Sequence, residues 1–237
     1  MTLFTFLALL AGHLLGDFLL QSDQMARTKE KPQVLLKHVA IVTGLSLLLL
    51  GRLQISALLV IFFTHYAIDS YKVRHLQNNL RTFLLDQAAH LAVIAWLALF
   101  FPIKGTLWAN FPPPFLQLYS QALVFLSVYL LLIPVGGMVI SLTVKPFAKE
   151  IGEELNGLTD GGKIIGYLER ALVFLFIIAG QPAGIGFLVA AKSILRFGDI
   201  KDPSQRKITE YIIIGTFLSF GWALLISLLA QRALLAL

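Results

Sequence analysis

Eight long apolar stretches, separated by short polar segments, organise the chain. They run over about 3–21, 38–51, 55–72, 87–103, 115–144, 164–180, 183–197 and 209–231. Their apolar residues are continuous rather than alternating, which predicts helices near bilayer-crossing length and argues against barrel strands. The second and seventh stretches are short. The fifth is long and contains Pro134-Val135-Gly136-Gly137, so it should kink there or run on as a surface helix. Gln181-Pro182-Ala183-Gly184 is a turn signal, so 183–197 either crosses or re-enters. The expected fold is all-α: a polytopic integral membrane helical bundle of about eight spans, with 183–197 either crossing or re-entrant.

Composition supports this. The 237 residues are 57% hydrophobic and only 14% charged, against roughly 45–50% and about 25% in soluble domains. The net charge of +6 fits basic loops better than a nucleic-acid-binding face, because no loop is long enough to fold alone. Fourteen of the nineteen Lys and Arg fall in one set of alternate loops, 22–37, 72–86, 145–163 and 196–208. Only Arg52, Lys104 and Arg232 fall on the opposite side, and Arg170 and Lys192 lie within spans. The positive-inside rule then puts the basic loops in the cytoplasm and both termini outside, in a bacterial inner membrane. Segment 145–163, with Lys149, Glu150, Glu153 and Glu154, reads as a solvated cytoplasmic loop with a helical start. The absence of cysteine excludes disulfides and thiolate ligands. With no basic residue ahead of Asp17, the first apolar stretch is expected to be retained rather than cleaved.

The chain divides by composition. Residues 1–103 form a four-span half holding all five histidines; 104–237 form a glycine-rich helical half, the two making one membrane domain. In the first half His13 and Asp17, His65 and Asp69, and Asp86 and His90 are each spaced i, i+4, so each pair shares a helix face. His38 opens the second span. At about 1.5 Å rise per residue, these residues fall in one layer near the cytoplasmic ends of four helices. Charged groups in a span cost about 2.5–3.5 kcal/mol each, so their grouping calls for an explanation. Imidazole and carboxylate together suit a divalent metal, zinc first and manganese or iron as alternatives. The candidate ligands are His13, Asp17, His38, His65, Asp69, Asp86 and His90. Glu169 or Asp69 is a candidate general base, and Arg170, Lys192, Gln21 and Gln87 are candidates for substrate contact.

Simpler readings exist for each. A His/Asp pair can be hydrogen-bonding glue between helices. Glu169 and Arg170 can form a structural ion pair, Lys192 can snorkel to the surface, and His75 sits in a basic loop. Gly161, Gly162, Gly166, Gly180, Gly184 and Gly186 suit close helix packing. No P-loop, H-E-x-x-H or G-x-S-x-G motif is present.

The run Gly12-His13-Leu14-Leu15-Gly16-Asp17-Phe18-Leu19-Leu20-Gln21, with His65-Tyr66-Ala67-Ile68-Asp69 and Asp86-Gln87-Ala88-Ala89-His90, resembles a bacterial membrane-protein family known as a domain of unknown function, family thirty-three-zero-seven. Ile165–Arg170 and Gly186–Phe197 look like the second half of its full-length members. The resemblance implies family membership and no established activity. The reading the residues favour is a metal-dependent hydrolase acting on a lipid or lipid-linked substrate, with membrane lipid as partner, no nucleic acid, and oligomerisation open. An ion- or proton-coupled transporter or channel, and a non-catalytic membrane scaffold, are the alternatives.

Overall fold

The structure is a computed structural model that describes residues 1–102, 104–151, 160–195 and 206–237. Every regular element among them is helical. In chain order these are α1 (Thr2–Phe18), α2 (Asp23–Arg27), α3 (Pro32–Leu50), α4 (Ile55–His75) and α5 (Leu80–Phe100), then a 3-10 turn (Leu107–Asn110) and α6 (Pro113–Leu130). A π-helical turn (Leu131–Val135), α7 (Gly136–Ile151), α8 (Gly161–Ile178), α9 (Ala183–Leu195) and α10 (Arg206–Leu235) follow. Glu153, Glu154, Arg196 and Lys201 lie outside the described residues.

Among the described residues four helices are long and apolar enough to cross a membrane: Pro32–Leu50, Leu80–Phe100, Pro113–Ile151 and Arg206–Leu235. Helices α1 and α9 are apolar but shorter. The 13 residues of α9 reach only about 20 Å, less than the roughly 30 Å hydrocarbon core. Helices α4 and α8 reach 21 and 18 residues but carry charged side chains within them. The protein is therefore a helical membrane protein, with four helices among the described residues meeting the length and hydropathy requirement.

Two boundaries differ from expectation for one physical reason. The second span is not short, and His38 does not open it, because α3 begins at Pro32. Likewise Asp86 lies inside α5, which starts at Leu80 under an Asn79 cap whose Oδ1 accepts from Thr82 N at 3.0 Å. Polar first turns such as Pro32-Gln33 and Leu80-Arg81-Thr82 continue the helix beyond the apolar run, so hydropathy alone places the helix ends too late.

The chain forms two compact units, Met1–Leu130 (with Leu237) and Leu131–Ala236. In the first, α1 packs chiefly on α3 and also meets α5 and α6, while α4 packs on α3 and α5. Gly12 and Gly16 face α3: a Cβ on Gly12 would press on Ser46, and one on Gly16 would overlap Val42. Small residues four apart let the two backbones approach closely, and His13 and Asp17 each follow one of these glycines.

The bundle is polar where soluble proteins are oily. Helix α4 buries Ala57, Ile61, His65 and Asp69, each four residues on, while Leu59 and Phe63 face outward. Helix α5 buries Thr82, Asp86, His90, Ile94 and Ala98 on the same period and exposes Leu84, Leu91 and Leu99. Each inward stripe is thus polar at one end and apolar at the other. Lipid solvates the outward leucines and phenylalanines at no cost, so the buried stripe is free to carry imidazoles and carboxylates.

In the second unit α10 packs on α8 and α7, and α8 also meets α9. The π turn follows from Pro134, which has no N–H to donate and leaves backbone carbonyls unpaired. Trp222 Nε1 donates to Leu131 O at 2.8 Å and Arg170 Nε donates to Leu132 O, so side chains from α10 and α8 satisfy the break.

Candidate metal centre

Four helices of the first unit bring their imidazoles and carboxylates together. Helix α1 supplies His13 and Asp17, α3 His38, α4 His65 and Asp69, and α5 Asp86, Gln87 and His90. His65 is the hub: its ring centroid lies 5.5 Å from that of His13, 5.2 Å from His38 and 4.3 Å from His90. The four histidines, Asp69 and Asp86 are all buried, His38 completely.

The closest convergence is between α1, α3 and α4. His38 Nε2 lies 3.1 Å from His65 Nε2 and 3.2 Å from Asp17 Oδ1. His65 Nε2 lies 3.4 Å from Asp17 Oδ1 and 3.4 Å from Asp69 Oδ2, which is also 3.4 Å from His38 Nε2. Tetrahedral ligands on one ion, with bonds of about 2.0–2.1 Å, sit about 3.3–3.4 Å apart. The lysine–carboxylate contacts nearby behave differently. Lys29 Nζ is 2.7 Å from Asp69 Oδ2 and Lys72 Nζ is 2.6 Å from Asp86 Oδ2, ordinary lengths for charge-assisted hydrogen bonds. The imidazole and carboxylate atoms therefore stand off at ligand–ligand spacing while the ammonium groups close to direct contact.

Three overlapping sets of donors have ligand atoms within 4.8 Å of one another: Asp17, His38 and His65; Asp69, Asp86 and His90; and His13, His65 and His90. The last three line a cavity of about 20 Å³, room for one water. Its remaining walls are chiefly apolar, with Leu9, Val42, Ile61 and Ile94 among them, and these four are themselves buried.

Neighbours of the donors set their tautomers. Gln87 Nε2 donates to Asp86 Oδ2 at 3.0 Å, which leaves Gln87 Oε1 to accept from His13 Nε2 at 3.2 Å. His13 Nδ1 then carries the lone pair; it lies 3.7 Å from Asp17 Oδ1. Gln21 is adjacent as well, its Oε1 accepting from Lys29 Nζ at 2.7 Å.

The remaining candidates lie in the second unit and have partners there. Glu169 pairs with Lys192 at 2.6 Å. The ion pair of Glu169 is thus with Lys192 and not with its sequence neighbour Arg170, and Lys192 folds onto it rather than snorkelling away. Arg170 is buried, donates to Leu132 O and, at 3.0 Å, to Ser219 Oγ. Residues i and i+1 on a helix point about 100° apart, so Glu169 and Arg170 look to different neighbours.

Sequence reasoning missed Lys29 and Lys72, which count there only as loop cations. Lys72 carried a signal, since it lies three residues after Asp69 on the same helix. Lys29 carried none: the chain reaches it through α2, capped by Ser22 Oγ accepting from Met25 N at 3.2 Å, and only the fold turns it inward to 8% exposure.

Residues 5–114 match the model of a protein family described as Protein of unknown function (DUF3307). The matched segment holds every histidine and aspartate of the cluster. No curated protein and no solved structure matches the chain.

Proposed function

We propose that the His/Asp cluster of the DUF3307 segment binds a divalent metal, zinc by preference, and that the protein is a metal-dependent hydrolase of a lipid or lipid-linked ester. The observation that carries the reading is the 3.1–3.4 Å spacing of His38 Nε2 and His65 Nε2 from each other and from Asp17 Oδ1 and Asp69 Oδ2. Asp17, His38 and His65 would hold the ion, and Asp69, steered by Lys29, would stand at its open side. A metal in such a site supplies a water acidified toward neutral pH and a positive charge for the developing oxyanion. Asp69 would orient that water by accepting its hydrogen bond. In hydrolysis that water's oxygen would replace the ester oxygen, and Asp69 would pass the water's proton to the departing oxygen. Gln87 would hold the His13 ring by accepting from its Nε2. Because Glu169 is engaged by Lys192 in the second unit, no step is assigned to it.

Two observations favour this over the alternatives. A transport path would continue as a wet passage beyond the histidines, whereas the cavity there holds about one water and is walled largely by apolar residues such as Leu9, Ile61 and Ile94. A scaffold held by dispersed polar glue would satisfy each pair separately, whereas here four helices share one cluster. In the proposed topology the basic loops face the cytoplasm of a bacterial inner membrane and both termini face outward, so the cluster would lie near the inner leaflet's headgroups.

Metal analysis of the purified full-length chain is the deciding experiment, with at least one zinc per chain expected and loss of that zinc in His38→Ala. Chelator-reversible release of headgroup or acyl product from bacterial lipid vesicles would then establish the hydrolysis. If no metal is retained, and neither zinc, manganese nor iron binds on addition, the reading fails. As the chain has no cysteine, single replacements report topology cleanly: Gln77→Cys should be labelled only from the cytoplasm and Leu53→Cys only from outside.

A further inference from the structure

The single-ion reading leaves donors on α5 unused. His90 Nδ1 donates to the Asp86 backbone carbonyl at 2.9 Å, so in the neutral ring the lone pair is on Nε2. That Nε2 is buried and has no hydrogen-bond partner among the described residues. Asp86 takes Lys72 and Gln87 on one oxygen, Oδ2, while its Oδ1 is buried and has no hydrogen-bond partner among the described residues. Asp69, Asp86 and His90 present ligand atoms within 4.8 Å of one another, and none of the three is more than 4% exposed. An imidazole lone pair and two carboxylates buried together repel one another, a combination that a cation relieves.

We infer that Asp69, Asp86 and His90 form a second divalent-cation position beside the first, so that the cluster is a two-ion centre. The inference rests on the metal reading above. The two donor sets share no residue: Asp17, His38 and His65 serve one ion, and Asp69, Asp86 and His90 the other. Asp69 joins them, because its Oδ2 lies 3.4 Å from both Nε2 atoms of the first set. Charge fits the same arrangement. Three carboxylates face only two ammonium groups, Lys29 and Lys72, so the bare cluster is net negative with neutral imidazoles. The Lys72 side chain is 31% exposed and can leave Asp86 for solvent when a cation arrives, while Lys29 stays buried on Asp69. Two carboxylates with one imidazole are a harder donor set than two imidazoles with one carboxylate, so manganese or iron(II) suits this position as well as zinc.

The test is metal stoichiometry on the full-length protein in detergent, loaded with manganese or zinc and freed of excess. Two ions per chain are expected, falling to one in Asp86→Asn with unchanged elution on size exclusion. His90→Gln gives the same answer should Asp86→Asn fail to fold. Electron paramagnetic resonance of the manganese-loaded wild type needs no variant: spin-coupled signals indicate ions about 3.5–4 Å apart. One ion per chain, uncoupled and unaffected by Asp86→Asn, overturns the second position and leaves the first standing. No ion overturns both.

Discussion

The two units treat intramembrane polar groups in opposite ways. In Leu131–Ala236 the polar groups around the proline break and the Glu169 carboxylate meet partners of complementary kind: Glu169 meets Lys192, Arg170 meets the Leu132 carbonyl and Ser219, and Trp222 meets the Leu131 carbonyl. The arrangement repairs a proline break and needs nothing from outside. In Met1–Leu130 groups of one kind are gathered instead. Four imidazoles and three carboxylates converge, two lysines offset part of the charge, and lone pairs remain. The difference separates polar groups that pair with one another inside the bundle from polar groups that the proposed cation would complete. Complementary pairing is self-sufficient; convergence of acceptors is costly until a cation arrives.

That contrast can be broken at its strongest point first. His65→Ala should lower metal affinity by at least about 100-fold, because the hub donor of the cluster is gone; metal content after dialysis reads this, and wild-type content in a folded variant would reduce the cluster to glue. Next, Arg170→Ala should destabilise the protein by about 3 kcal/mol, since it removes two hydrogen bonds and leaves the buried Leu132 carbonyl and Ser219 hydroxyl without their donor. Unfolding in mixed detergent measures it, and metal content should stay unchanged. Gly16→Val should cost about 1–3 kcal/mol through overpacking against Val42 and should also weaken metal binding, because it pushes Asp17 away from His38. The smallest effect belongs to Lys192→Gln: about 1 kcal/mol or less, given its partly exposed pair with Glu169, with metal binding intact. A metal defect in Arg170→Ala or Lys192→Gln would erase the distinction between the units.

Much of the first unit was legible because its information is periodic. His13 and Asp17, His65 and Asp69, and Asp86 and His90 each repeat at the helical period, and the apolar pattern puts them on the faces opposite Leu59, Phe63, Leu91 and Leu99. Depth along a helix follows from counting residues, so the common layer followed as well. Residue type alone makes Glu169 a candidate base and Arg170 and Lys192 candidate substrate contacts, but it says nothing about azimuth or about which helices are neighbours. Helix starts at Pro32 and Leu80 escaped for a different reason: polar first turns are invisible to hydropathy. Lys29 escaped because its inward turn depends on a short capped helix between spans.

What the sequence by itself determined was helicity, membrane embedding, the break at Pro134 and the pairing of imidazole with carboxylate along individual helices. All of these depend on residues within a few turns of one another. The tertiary structure alone decided that α1 and α3 meet closely at Gly12 and Gly16, that His38 faces His65 at 3.1 Å, and that Lys29 and Lys72 close over Asp69 and Asp86. Those outcomes depend on how helices rotate and slide against one another. In lipid that choice is made by backbone fit and by the satisfaction of polar groups, and neither can be read along a single helix.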